Sequence, residues 1–202
     1  MTDHAKENSW KDSKSKVISV SFISAAVLIS LAIGFAHFES YINYAHPPVA
    51  SDTDLPERLV IPKIKVNAAI QKVGVDKTGK MGIPSNFVDV AWYQHGPQPG
   101  ERGSAVIAGH LDTAKDANAV FINLNTLKKG DDIYVEDKNK TKIHFKVTAI
   151  EVYDEATAPV EKIFNQTGEG SRLNLITCDG VWNPKTKSYS ERLVVYSERV
   201  QD

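Results

Sequence analysis

Val17 to Phe38 is an unbroken run without a single charged side chain (VISVSFISAAVLISLAIGFAHF). At 1.5 Å per residue, about 22 residues of helix span a hydrocarbon core of about 30 Å. The run is too long for the apolar region of a cleaved leader, and no A-x-A-like site follows it. A buried core helix would carry a charged stripe, so the pattern predicts one N-terminal transmembrane helix. Residues 39–56 then lose every apolar period: Pro47-Pro48 and small polar residues mark a linker.

From Arg58 the pattern becomes alternation. Leu59 and Ile61, then Ile64, Val66, Ala68 and Ile70 read as one or two half-buried strands, with Pro62 at an edge or bulge. Further strands are predicted over Ser104–Ala108, Asp132–Glu136, Lys142–Val152, Leu173–Cys178 and Arg192–Glu198. Val, Ile, Tyr and Phe dominate them, and Gly, Asp, Asn and Lys clusters separate them. Helical signals are short, at Ala117–Leu127 and Val160–Phe164. The expected fold is mostly β, a barrel or closed sheet over 57–202 with short helices, preceded by the membrane span.

The flanks orient that span. Lys6, Lys11, Lys14 and Lys16 precede it, and the first basic residue after it is Arg58. The positive-inside rule makes 1–16 a cytoplasmic tail, 17–38 a single-pass anchor in the cell membrane, and 57–202 an extracellular domain. Composition narrows the partners. A formal net charge of -1 gives no basic footprint for nucleic acid. The six His lack the Cys/His pairing of a structural zinc site, so neither metal nor cofactor is expected.

Cys178 is the only cysteine, so an internal disulfide is impossible. A lone extracellular cysteine can be a small buried hydrophobe or half of an intermolecular disulfide. Its context suggests a third role. It ends the strand Leu173–Cys178 ahead of a turn signal, Asp179-Gly180, where a rigid scaffold presents reactive side chains to a loop. A cysteine nucleophile needs an acid or base and a charge for an oxyanion. His110 ends the strand beginning at Ser104, with Gly109 before it permitting close backbone approach. Arg192 opens the last apolar strand, and a hairpin with a long loop could return it to Cys178.

These segments resemble the sortases, cysteine transpeptidases of bacterial surfaces. Leu175-Ile176-Thr177-Cys178 is similar to their L-x-T-C nucleophile motif, Ala108-Gly109-His110-Leu111-Asp112 to their histidine segment, and Arg192-Leu193-Val194-Val195 to their arginine strand. Arg58–Ile64 resembles the first strand of the family, Trp92-Tyr93 through Ser104 the approach to the histidine, and Leu127–Asp131 the step after it. Thr177–Asn183 with Trp92-Tyr93 looks most like class F. Asn174 stands where the family motif opens with threonine, and Pro47-Pro48 lacks the Asp-Pro-aromatic lid of pilin polymerases. With no second span before Asp202 either, pilus assembly is not expected.

The resemblance implies that Cys178 attacks the Thr–Gly bond of a Leu-Pro-x-Thr-Gly-like sorting signal on a surface protein and forms a thioacyl enzyme. It implies that His110 shuttles the proton, that Arg192 holds the oxyanion, and that an amine acceptor such as a peptidoglycan precursor receives the acyl group. Thr177 would position the substrate backbone, and Val160 and Ile163 would line an apolar pocket for the Leu-Pro part. Two other readings stay open. An L,D-transpeptidase would cluster its His and Cys, whereas His110 and Cys178 lie 68 residues apart. A membrane-anchored binding domain would need no reactive thiol.

Overall fold

The computed structural model of the protein describes residues 55–112, 119–165 and 170–201. The cytoplasmic tail, the anchor and nearly all of the linker expected from the sequence lie outside the described residues. Among the described residues no helix is long and apolar enough to cross a membrane.

Eight strands are seen there: β1 (Pro56–Ile61), β2 (Val66–Val73), β3 (Val90–Tyr93), β4 (Gly103–Gly109), β5 (Asp132–Asp137), β6 (Lys142–Asp154), β7 (Ser171–Asn183) and β8 (Ser188–Arg199). They close into a barrel in the order β1-β2-β3-β4-β7-β8-β6-β5. Two neighbouring pairs are parallel, β2 with β3 and β4 with β7; the others are antiparallel. The helix α1 (Val160–Phe164) lies in the connection from β6 to β7.

The expected alternation directs the core. Leu59 and Ile61, Ala105 and Ile107, Ile133 and Val135, Phe145 and Val147, Leu173 and Leu175, and Leu193 and Val195 fill the barrel. Their neighbours of opposite parity do not all face water. Val106, Val194, Tyr196 and Ile163 of α1 form a second buried cluster, with Ile176, Tyr153 and Phe164 against it. The outer face of β4, β7, β8 and β6 is therefore apolar too, which is why Ala105-Val106-Ile107 and Leu193–Tyr196 read as continuous apolar runs.

Three local expectations change, and one strand was not foreseen. Pro62 sits in neither an edge strand nor a bulge: Pro62–Ile64 is a 3-10 turn closed by left-handed Lys65 (φ 57°), whose N–H donates to the Pro62 carbonyl at 3.2 Å. The helix expected over Ala117–Leu127 is, from residue 119, a chain of turns ending in a 3-10 helix at Leu124–Thr126. Its buried Phe121, Leu124 and Leu127 recur every three residues, the period of a 3-10 turn. β3 escaped notice because Val90, Ala91 and Trp92 are all buried and four residues show no alternation. Finally, Asp179-Gly180 is no turn. β7 runs on to Asn183 through a bulge between Asp179 and Trp182, with Gly180 at φ 80°, so the loop to β8 is short.

Gly109, at the end of β4, is required by space. A Cβ there would lie 2.5 Å from Cδ2 of fully buried Phe121 and 2.8 Å from Cγ1 of Val120. Gly109→Ala must displace a core ring, and urea denaturation should show a loss of about 1–3 kcal/mol of stability. Unchanged stability would mean that Phe121 is not held against β4.

Candidate active site

Register and parity bring three expected residues to one level of one sheet face. β4 and β7 run parallel with Ala108 opposite Ile176. Thr177 extends that pairing, its hydroxyl donating to the Gly109 carbonyl at 2.8 Å. The next residues along the two strands are His110 and Cys178. On the other side of β7, Cys178 is the direct antiparallel partner of Arg192 in β8. Leu173, Leu175, Leu193 and Val195 point into the barrel, so Cys178 and Arg192 take the outer face with Ile176, Val194 and Tyr196. His110 has the parity of outward-facing Val106. Cys178, His110 and Arg192 are all half-buried.

The remaining expected residues separate. Thr177 is buried on the inner face, and its hydroxyl is committed to Gly109. It joins two strands instead of presenting a group to a ligand. Val160 is 58% exposed at the start of α1. Ile163 is 1% exposed and packs with Val106, Val194 and Tyr196, so it supports the outer face from below and has no surface left for a substrate.

Each side chain of the triad has identifiable partners. His110 Nε2 lies 3.2 Å from the carbonyl of buried Pro84. A carbonyl only accepts, so in this hydrogen bond Nε2 is the donor. The imidazole also packs at 4.8 Å, tilted by 52°, against Phe87. Arg192 Nη1 donates to the carbonyls of Tyr189 at 3.0 Å and Glu191 at 2.7 Å, and Nη2 to Ser188 Oγ at 3.0 Å. Nη2 also forms a 2.7 Å ion pair with Glu155 Oε1. Partial burial works against the Glu155 charge, but Ser188, Lys80 and Arg192 outweigh it and hold its carboxyl below the usual range.

Burial pushes the Cys178 thiol up, and the carboxylates of Glu155 and Asp112 add to that, while Arg192 pulls the other way. At neutral pH the thiol is therefore the major form and the thiolate a small fraction. Across the site, the Tyr189 hydroxyl donates to Asp112 Oδ2. That bond, with some burial, pushes Tyr189 up to about 12. Trp182 packs edge-on against Tyr189 at 5.2 Å and stays half exposed. Ser188, Tyr189 and Pro84 were not singled out from the sequence as parts of a site, and Glu155 stood out only as one of several acidic loop residues too ordinary to assign. No motif marks them; Ser188 and Tyr189 are placed by the bulge in β7 and the start of β8, Glu155 by the length of β6, and Pro84 by the connection from β2 to β3.

The arrangement offers a nucleophile, a proton carrier and a guanidinium on three adjacent strands, which is the equipment for acyl transfer. The family model described as a sortase domain matches residues 59–200. No curated protein matches the chain. Among solved structures, sortase C-1 from Actinomyces oris is similar at 26% identity and a TM-score of 0.55, covering 72% of this chain and 71% of its own. A lid mutant of sortase A from Corynebacterium diphtheriae is similar at 22% identity and a TM-score of 0.57, covering 80% and 78%. Sortase A from Listeria monocytogenes is similar at 22% and 0.55, covering 73% and 88%. At those last two identities the likeness is one of fold.

The charges around Cys178 have a measurable consequence. Its alkylation rate should climb with pH through an inflection above that of an ordinary thiol, because the neutral form is favoured in the folded protein. Arg192→Ala should move the inflection higher still. An inflection near 7 or below in the native protein would contradict this balance.

Proposed function

The chain belongs to the sortase family of cysteine transpeptidases, and we propose that it cleaves the Thr–Gly bond of a Leu-Pro-x-Thr-Gly-like sorting signal and transfers the surface protein to an amine acceptor of the cell wall. In the first step Cys178 Sγ, as thiolate, adds to the threonine carbonyl carbon. The C–N bond breaks as protonated His110 gives its Nδ1 proton to the departing glycine amine, leaving a thioacyl enzyme. In the second step the incoming amine adds to the thioester carbon, His110 takes up its proton, and the C–S bond breaks to return the thiolate. Arg192 donates to the carbonyl oxygen as it becomes an oxyanion in both steps. The planar fork of a guanidinium fits this better than a lysine ammonium.

The observation that carries this reading is the direct pairing of Cys178 with Arg192, one strand from Gly109-His110. A single-pass anchor over 17–38, with the N-terminus cytoplasmic and the catalytic domain outside, belongs to the proposal and rests on the charge pattern of the sequence. So does the class F affinity, which rests on Thr177–Asn183 and Trp92-Tyr93. A binding domain without activity would need no thiol set opposite a guanidinium, and the test below separates the two.

Mass spectrometry of the full chain in detergent with sorting-signal peptides and candidate amines should show a thioacyl adduct on Cys178 and its transfer. Cys178→Ala should remain folded and yield neither. Arg192→Ala should lose about 10²–10³-fold in kcat/KM, the usual cost of one oxyanion donor, and Arg192→Lys should recover only part. Alkylation of Cys178, compared above each variant's inflection, should change far less because it forms no oxyanion. Peptide cleavage retained in Cys178→Ala would end this reading.

A further inference from the structure

Arg192 enters the proposed reaction already occupied. Nη1 is taken by two carbonyls of its own hairpin, and Nη2 is shared between Ser188 Oγ and Glu155 Oε1. An oxyanion forming at Cys178 must therefore compete with a carboxylate for the same guanidinium. Glu155 is well placed for that competition. It follows β6 directly, and its backbone N–H donates to the Ser190 carbonyl at 2.9 Å, which fixes it beside β8. Its side chain does not depend on Arg192 alone. Lys80 Nζ reaches the same Oε1 at 3.1 Å, and the Ser188 hydroxyl donates to Oε2 at 2.8 Å. Removing the guanidinium would leave the carboxylate still paired, without the penalty of an orphaned charge. The pair is also partly open to solvent, with side chains 19% and 28% exposed, so neither ion is locked in by desolvation.

We infer that Glu155 is a positioning residue that holds Arg192 in a resting ion pair and yields it to the substrate's carbonyl oxygen, while Lys80 and Ser188 retain the carboxylate. The inference rests on the proposed role of Arg192 at the oxyanion. The resting pair damps the field of Arg192 at the thiol. The charged and titratable groups around Cys178 are Asp179 next to it on β7, His110 and Asp112 after β4, Arg192, Glu191 and Tyr189 on β8, and Glu155 after β6. Of these, Glu155 and Asp112 favour the neutral thiol and Arg192 the thiolate. Once the carbonyl oxygen takes on negative charge and draws Arg192 from Glu155, the guanidinium acts on the reacting atoms instead of on a carboxylate.

The test uses the full chain, with Glu155→Gln and Glu155→Asp. Two quantities are read: the pH inflection for alkylation of Cys178 by iodoacetamide, and the split of kcat and KM on a Leu-Pro-x-Thr-Gly peptide. Glu155→Gln should lower the inflection by about half a unit or more, since it removes a carboxylate that raises the thiol and unpairs a guanidinium that lowers it. It should also lower KM at least about twofold, because a guanidinium without its counter-charge can bind the neutral carbonyl of the substrate as well. Glu155→Asp, which keeps the charge, should return both values toward the parent. A merely structural Glu155 would give an unchanged inflection with a lower melting temperature, and that result would overturn the proposal. Lys80 is 72% exposed, so Lys80→Met is a safe second variant. It strips the rival cation from Oε1, and KM should rise; no change would count against the exchange. If the parent protein cleaves no sorting peptide, the sortase reading of its substrate fails, and the inflection alone then decides whether Glu155 neutralises Arg192.

Discussion

The parallel pairing of β4 with β7 is the constraint on which the site depends, and the hydrogen bond from Thr177 to the Gly109 carbonyl is its last rung. The two strands are joined by a long excursion through β5, β6 and α1, so their pairing is costly in loop-closure entropy. Burial on both faces offsets that cost. Ala105 and Ile107 meet Leu173 and Leu175 inside the barrel, and Val106 meets Val194 and Ile163 outside it. At about 25 cal/mol per Å² of apolar surface, a sheet buried on both sides gains nearly twice what a one-sided sheet would. The pairing stops where Gly109 admits Phe121 against its backbone, and the next residues on each strand carry the chemistry.

The outer apolar cluster has a second effect. It gives the reactive face a floor, with Ile176 and Val194 directly below Cys178 and Arg192 along their strands. A half-buried thiol at the edge of that floor is poorly solvated, and its neutral form is favoured. Arg192 opposes this from the neighbouring strand. Two unit charges about 4 Å apart near a protein surface interact by about 4 kcal/mol, so the guanidinium is a strong local influence when it is free and a weak one when a carboxylate shares it.

Much of this was legible in the sequence. Alternation from Arg58 marked one or two strands, runs of Val, Ile, Tyr and Phe between turn clusters marked five more, and the chain order His110, Cys178, Arg192 carried the family likeness. What escaped follows from physics that a linear pattern does not encode. Strand ends are not marked when a bulge replaces a turn: Asp179-Gly180 looks like a hairpin signal, yet Gly180 takes φ 80° inside a strand and the pairing resumes at Trp182. Parity decides whether a residue near a motif touches a ligand. Thr177 precedes the nucleophile in sequence and therefore points to the opposite face, where it joins strands. Ile163 sits in a five-residue helix that has one face to bury, and that face falls on Ile163 while Val160 is left in water. The membrane span and linker were read from the sequence alone.

Glu155 shows why a charge network is the least legible part of such a site. In sequence it is one of many carboxylates in a surface-rich segment, Asp154-Glu155. Its meaning comes from three residues on two segments distant in sequence from it: Lys80 from the connection between β2 and β3, Ser188 from the start of β8, and Arg192 four residues further along the same strand. A substrate carbonyl is a weak rival to a carboxylate while it is neutral, and a strong one only as it takes on negative charge. A guanidinium held by Glu155 therefore discriminates between the two. It gives up little to the bound peptide and most to the tetrahedral intermediate, which is the differential binding that accelerates a chemical step. A permanently free arginine would bind both more tightly and spend part of its interaction on the ground state.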